Sequence, residues 1–153
     1  MARPRLPVPA VRPEVCASAL AEHGGRLLLV RRGRGRFDAG TWAVPGGRVE
    51  PGERAADAAV RELLEETGLR ASPGPFVGWT EVISPGRHYV ILDFRVELLD
   101  PPEAARAADD ADAVAWVPLA EVADHGLVDG LATFLETHGI IPSQEALDAG
   151  EEA

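Results

Sequence analysis

The sequence predicts an α+β fold in which a mixed β-sheet lies between helices. Three observations predict it. Strand-like apolar runs stand before and after one long helical pattern, giving the order strands, helix, strands, helix. Turn signals such as EHGG and SPGR join neighbouring runs as hairpins, which a doubly wound parallel sheet does not use. A length of 153 residues, 46% hydrophobic and 26% charged, suits one domain with a sizeable core.

The elements follow in order. Residues 1–13, MARPRLPVPAVRP, read as an extended N-terminal arm, because prolines at 4, 7, 9 and 13 interrupt a helix or a signal-peptide core. EVCASALA (14–21) and RLLLVRR (26–32) are strand-like and pair as a hairpin across EHGG. GRGRFDAGTW (33–42) is a loop, and AVPGG ends in a tight turn marked by Pro45 and the paired glycines. From 54 to 67 the pattern is helical: Ala56, Ala59, Val60 and Leu63 recur near a 3.6-residue period, and Gly68 stands where a helix stops.

FVGWTEVI (76–83) and HYVILDFRVEL (88–98) are strands joined by SPGR. PPEAARAADDADA (101–113) is a long acidic connection, of the kind that is functional or mobile. VAWVPL (114–119) is a short strand, with Pro118 opening a helical turn. LVDGLATFLETHG (127–139) is a helix with Leu127, Leu131, Phe134 and Leu135 on one face, stopped by Gly139. The domain is expected over 14–141, and the acidic residues 142–153 form a solvated, flexible tail.

Bulk composition excludes several classes. A formal net charge of −10 argues against gripping a nucleic-acid polymer, which needs a basic face. A single nucleotide is not excluded, since a metal and one or two arginines can meet its few phosphates. No run approaches the roughly 18 apolar residues of a membrane span, so no membrane partner is expected. The one cysteine, Cys16, permits no internal disulfide and reads as a small core residue, which points to a reducing cytoplasm.

The chemistry is concentrated in GGRVEPGERAADAAVRELLEETGL, residues 46–69. Glu62, Glu65 and Glu66 crowd the last two helical turns, where the helix dipole already disfavours carboxylates. They are related by i,i+3 and i,i+4, so they share a face and repel one another. An acidic, solvent-facing stripe is the usual fate of such a helix. The other reading is a cation site: magnesium takes hard oxygen ligands, and a dication would offset both penalties at once.

The spacing decides for the second reading. Gly47, Glu53, Arg61, Glu62, Leu63, Glu65, Glu66, Gly68 and Leu69 fill every specified position of the pattern G-x5-E-x7-R-E-U-x-E-E-x-G-U, with U aliphatic. The chain therefore resembles the Nudix hydrolase family. The hairpin ending in arginines, the W-x-x-P-G-G lead-in and the aliphatic-Trp-Val-Pro-Leu segment before a last helix extend the resemblance over about residues 14–138. It implies the Nudix α/β/α sandwich and hydrolysis of a nucleoside diphosphate linked to another moiety.

The resemblance also implies roles. Glu62, Glu65 and Glu66 would ligate Mg²⁺, or Mn²⁺ in its place, with the Gly46 carbonyl completing the ligand set. Glu53 would assist a second metal or the attacking water. Arg61 would hold a box glutamate in its productive rotamer, although spacing alone equally allows a surface pair with Glu65. A further acidic ligand would come from Asp109, Asp110 or Asp112, with Asp110 the candidate carried forward.

Arg31 and Arg32 end a strand beside the site, and strand alternation would turn one of them towards a substrate phosphate. Trp79, Phe37 and Tyr89 are candidates for stacking on a base, although strand aromatics are more often core. Trp42 and Trp116 are assigned to packing and His88 to the surface. Asp129 falls where sanitising relatives read an oxidised purine, or else acts as an N-cap-like residue.

Three functions compete. Pro85 lies sixteen residues past Leu69, a spacing associated with ADP-ribose-hydrolysing relatives, and this reading leads. A MutT-like house-cleaning hydrolase of nucleoside triphosphates, including 8-oxo-dGTP, is the alternative. A non-catalytic nucleotide sensor is third, disfavoured because binding alone does not need all four glutamates. The partner is a small nucleotide, and the resemblance is compatible with a homodimer.

Overall fold

The computed structural model describes residues 11–36 and 38–151. Most of the expected N-terminal arm and the candidate Phe37 lie outside the described residues. Two four-stranded sheets carry the fold. In the first, strand β1 (Glu14–Leu20) lies between β5 (Gly46–Arg48) and β7 (Arg87–Leu98), and β6 (Ala71–Ser84) closes the far edge. β1 and β7 are parallel and the other pairs antiparallel, so the sheet is mixed. In the second, β3 (Arg26–Arg32) pairs with β2 (Glu22–His23), β4 (Trp42–Ala43) and β8 (Ala111–Pro118).

The expected hairpin between 14–21 and 26–32 is reduced to its tip. Only Glu22 and His23 pair with β3, and one further bond runs from the Leu28 N–H to the Ala21 carbonyl. β1 then leaves for the other sheet because both its faces are apolar or small. Ala17 and Ala19 pack under a helix while Leu20 joins the opposite core, so the strand needs sheet neighbours on both sides.

Helix α1 (Ala55–Thr67) buries Ala58, Ala59 and Leu63 against Ala17, Ala19 and Leu69. Gly68 ends it at φ 74°, its N–H bonding the Leu64 carbonyl, a left-handed stop that glycine adopts without strain. The second core gathers Leu20, Leu27, Leu29, Val44 and Val122 with Phe134 and Leu135 of α2 (Leu131–Thr137). The layers are therefore helix, sheet and helix, as expected.

Other boundaries move for identifiable reasons. The paired glycines form the extended strand β5 rather than a tight turn. A Cβ on Gly46 would press on the Ser18 hydroxyl and the Ala17 carbonyl, so only glycine lets β5 approach β1. The helix expected from 127 starts at 131, because the Val128 N–H bonds the Trp42 carbonyl and Leu127 bridges to Trp42. Gly130, at φ 85°, precedes it without a side-chain cap.

The acidic connection is docked. The N–H groups of Arg106 and Ala108 bond the Thr67 and Glu66 carbonyls, satisfying acceptors that α1 leaves open at its end. Residues read as a tail carry helix α3 (Gln144–Glu151). No described helix is long and apolar enough to cross a membrane.

Candidate active site

The site forms where the C-terminal end of α1 meets β5. Glu66 lies on the inward face of the helix and is 7% exposed. Its Oε2 accepts a 2.8 Å hydrogen bond from the Gly46 N–H. That donor is free because Gly46 occupies a non-bonded position of the β1–β5 ladder: the flanking pair, Ala19 and Pro45, is the bonded one. In an extended strand the Gly46 carbonyl lies off the ladder on the same side. Burial, reinforced by Glu62, pushes the Glu66 carboxyl up to about 8. Burial also raises Glu62, against the pull of Arg61.

Arg61 clasps the remaining glutamates. Nε and Nη2 donate to the two Glu53 oxygens at 2.8 and 3.0 Å, and Nη1 donates to Glu62 at 2.9 Å and Glu65 at 3.2 Å. Nη2 also donates to the Arg48 carbonyl at 2.9 Å, fixing the guanidinium to β5. The fork holds Glu53 below the usual carboxylate range and raises Arg61. A surface Arg61–Glu65 pair is thus one contact of five rather than the whole role.

The arginines and loop aspartates meet across a narrow surface cleft lined by Arg31, Arg32, Arg36, Glu66 and Asp110 over Val30 and Val44. Both Arg31 and Arg32 reach it. The expected alternation keeps neither away from it; the β3–β8 register shifts between them, with the extra residue, Asp112, on β8. Arg31 pairs with Asp112 at 2.6 Å and lies over the Trp42 ring at 5.8 Å. Arg36 donates to Asp110 at 3.1 Å. Arg32 Nε stands 3.2 Å from Asp38, a charge contact without hydrogen-bond alignment, and burial lowers the arginine.

Not every candidate arrives. Trp79 is 61% exposed on edge strand β6. It sits on the α1 side of the row Gly47–Ala17–Leu92–Trp79, three strands or about 14 Å from Gly47. Tyr89 and His88 line a separate cleft with Arg12, Arg48 and Arg87. Asp129 is exposed, and the N-cap position belongs to Gly130 instead. Pro85 occupies an exposed hairpin turn beside Gly86 at φ 77°. Trp42 packs on the core as expected, and Trp116 donates to the Pro102 carbonyl at 2.9 Å.

The sequence reading missed Arg36 and Asp38, although the alternating arginines of RRGRGR were a visible signal. It also missed Asp93, a carboxylate inside the apolar strand VILDF, 3% exposed and pushed up to about 7 by burial.

Among the described residues no three His, Cys, Asp or Glu side chains stand in a metal-holding arrangement. The donor chemistry nevertheless suits a hard dication: two buried or half-buried carboxylates, both raised, beside a backbone carbonyl off its ladder. Exchange of Arg61 contacts would free further oxygens.

A family model described as NUDIX domain matches residues 11–137. A Mycobacterium tuberculosis protein that carries a provisional 8-oxo-dGTP diphosphatase name is 35% identical over 131 residues, 79% of this chain and 89% of its own. The ADP-ribose pyrophosphatase of Methanocaldococcus jannaschii is 42% identical over 59 residues, 39% of this chain and 34% of its own. The chain spans only 33% and 44% of the length of two other relatives. Among solved structures, a MutT NUDIX hydrolase from Burkholderia pseudomallei superimposes with a TM-score of 0.71 at 26% identity, covering 82% of this chain and 98% of that one.

Proposed function

The chain belongs to the Nudix hydrolase family, and from that premise we propose that it is a divalent-metal-dependent pyrophosphatase of small nucleotides. One observation carries this reading. Glu66 is a buried carboxylate with an elevated pKa, anchored to the Gly46 N–H and facing a cleft walled by arginines. A lone buried acid is costly, and clefts of this kind are where such a cost is retained for function.

Glu66, Glu62 and Glu65 with the Gly46 carbonyl would hold Mg²⁺ or Mn²⁺, and Asp110 would join them if Arg36 released it. The ion, when bound, supplies Lewis acidity at the phosphate oxygens. Arg31, Arg32 and Arg36 neutralise and orient the phosphates through forked hydrogen bonds. Glu53, kept ionised by the Arg61 fork, would assist a second ion or orient the attacking water. Val30 and Val44 give the cleft an apolar floor, which strengthens these charge interactions.

Between substrates, nucleoside triphosphates are the first choice. The relative matched over 89% of its own length carries an 8-oxo-dGTP name, whereas Pro85, the sequence reason for ADP-ribose, is accounted for by its exposed turn. ADP-ribose is the second reading, supported by the M. jannaschii relative over the box region. A reducing cytoplasm suits either substrate class.

The test is a hydrolysis panel with Mg²⁺: dGTP, 8-oxo-dGTP, ADP-ribose, NADH and dinucleoside polyphosphates. Pyrophosphate release from a triphosphate is expected. AMP with ribose phosphate would favour the second reading, and no turnover of any compound would leave a sensor.

A further inference from the structure

Asp93 lies at the middle of β7, on the sheet face opposite α1. Its cross-strand row reads Gly46, Ser18, Asp93, Gly78 from β5 to β6. The side chain is 3% exposed, and burial alone shapes its titration: among the described residues no donor is hydrogen-bonded to it. An unpaired buried carboxylate costs more than an apolar residue of its size, so the fold has no use for it.

The rest of the row explains what it faces. Gly46 and Ser18 leave a floor of small residues from the N–H that holds Glu66 to Asp93, two strand spacings or about 10 Å away. The far end is closed. A Cβ on Gly78 would lie 2.6 Å from His138 Cε1 and 2.7 Å from Nε2, so the imidazole fills the place of a side chain there. The next row on the same face, Cys16, Ile91 and Thr80, is half-buried, more open than the row of Asp93 itself.

We propose that Asp93 reads the substrate's base, accepting a hydrogen bond from an exocyclic amine of a nucleotide whose phosphates lie at Gly46 and Glu66. This rests on the nucleotide pyrophosphatase reading. The separation matches the reach from a nucleotide's phosphates to its base edge, and the carboxylate is acceptor-only when ionised. A site built to bond an amine rejects the analogue that lacks it, because its own polar group is then left unpaired.

The experiment compares kcat/KM for dGTP against dITP and dCTP against dUTP, pairs differing at an amine, in wild type, Asp93→Leu and the near-isosteric Asp93→Asn. Wild type is expected to favour the amine-bearing member of at least one pair by about tenfold or more. In Asp93→Leu the ratio falls to within about threefold, the loss falling on KM, while the melting temperature is unchanged or higher. Asp93→Asn keeps the fold and shifts the ratio. Equal rates for both members of each pair in wild type, or wild-type ratios in both variants, overturn the proposal. If wild type hydrolyses no triphosphate, the triphosphate reading fails separately. Calorimetric binding of dGMP against dIMP then decides on Asp93 by the same comparison.

Discussion

Arg61 and Glu53 are joined by two parallel hydrogen bonds, 2.8 Å from Nε to Oε2 and 3.0 Å from Nη2 to Oε1. The pair spans the loop before α1 and the middle of the helix, and the same guanidinium reaches Glu62 and Glu65. Arg61→Ala therefore leaves three carboxylates without a counter-charge. A urea melt is expected to show a loss of about 2 kcal/mol, the scale of hydrogen bonds to charged groups. Arg61→Lys restores charge but not the fork, so turnover stays at least about tenfold below wild type. Wild-type turnover in the lysine variant would remove the positioning role.

The raised Glu66 pKa sets a pH dependence for metal-free protein. The group moves from 4.5 unfolded to about 8 folded. As pH rises between these values the unfolded chain loses the proton while the folded chain keeps it, so stability falls across that window and levels above about 8. The full loss is on the order of 5 kcal/mol. Asp93 adds a slope of the same sign that ends near pH 7. Denaturation in EDTA should show Glu66→Gln lacking the fall between pH 7 and 8 and lowering turnover at least about a hundredfold. A wild type that gains stability over that interval would contradict the burial of this group.

Adjacent glycines should fail differently. In Gly46→Ala the new Cβ would lie 2.7 Å from the Ala17 carbonyl and 3.0 Å from Ser18 Cα, backbone that cannot yield. A loss of about 2 kcal/mol is expected. In Gly47→Ala the atoms nearest the new Cβ are those of the Glu62 carboxyl, the end of a flexible side chain. The melt should then move by less than about 1 kcal/mol while turnover drops at least about tenfold. Equal melts for the two variants would refute the distinction.

Removing Arg36 tests the cleft wall and removing Trp79 tests its boundary. Arg36→Ala should raise KM about tenfold, since a forked phosphate contact is lost. Trp79→Ala should leave kcat/KM within about twofold, because the ring is exposed across α1 from the glutamates. A Trp79 effect as large as that of Arg36 would place substrate on the wrong side of the helix.

Much was legible because it is local. Helix α1, its glycine stop, the glutamate spacing and the identity of most strands follow from side-chain periodicity and short-range sterics along one stretch of chain. The family, the fold class and the spacing of the glutamates proposed to hold the ion could thus be read along the chain. Tertiary structure decided which strands became neighbours, and everything that depends on neighbours followed. β1 left its expected partner for β5 and β7, the paired glycines became a strand, β8 set Asp112 against Arg31, and the docked acidic loop delivered Asp110. The same pairing put Trp79 behind α1 and buried Asp93 on the opposite face. Strand pairing is a contact between distant segments, and no periodicity within either segment records which partner or register gives the lower free energy.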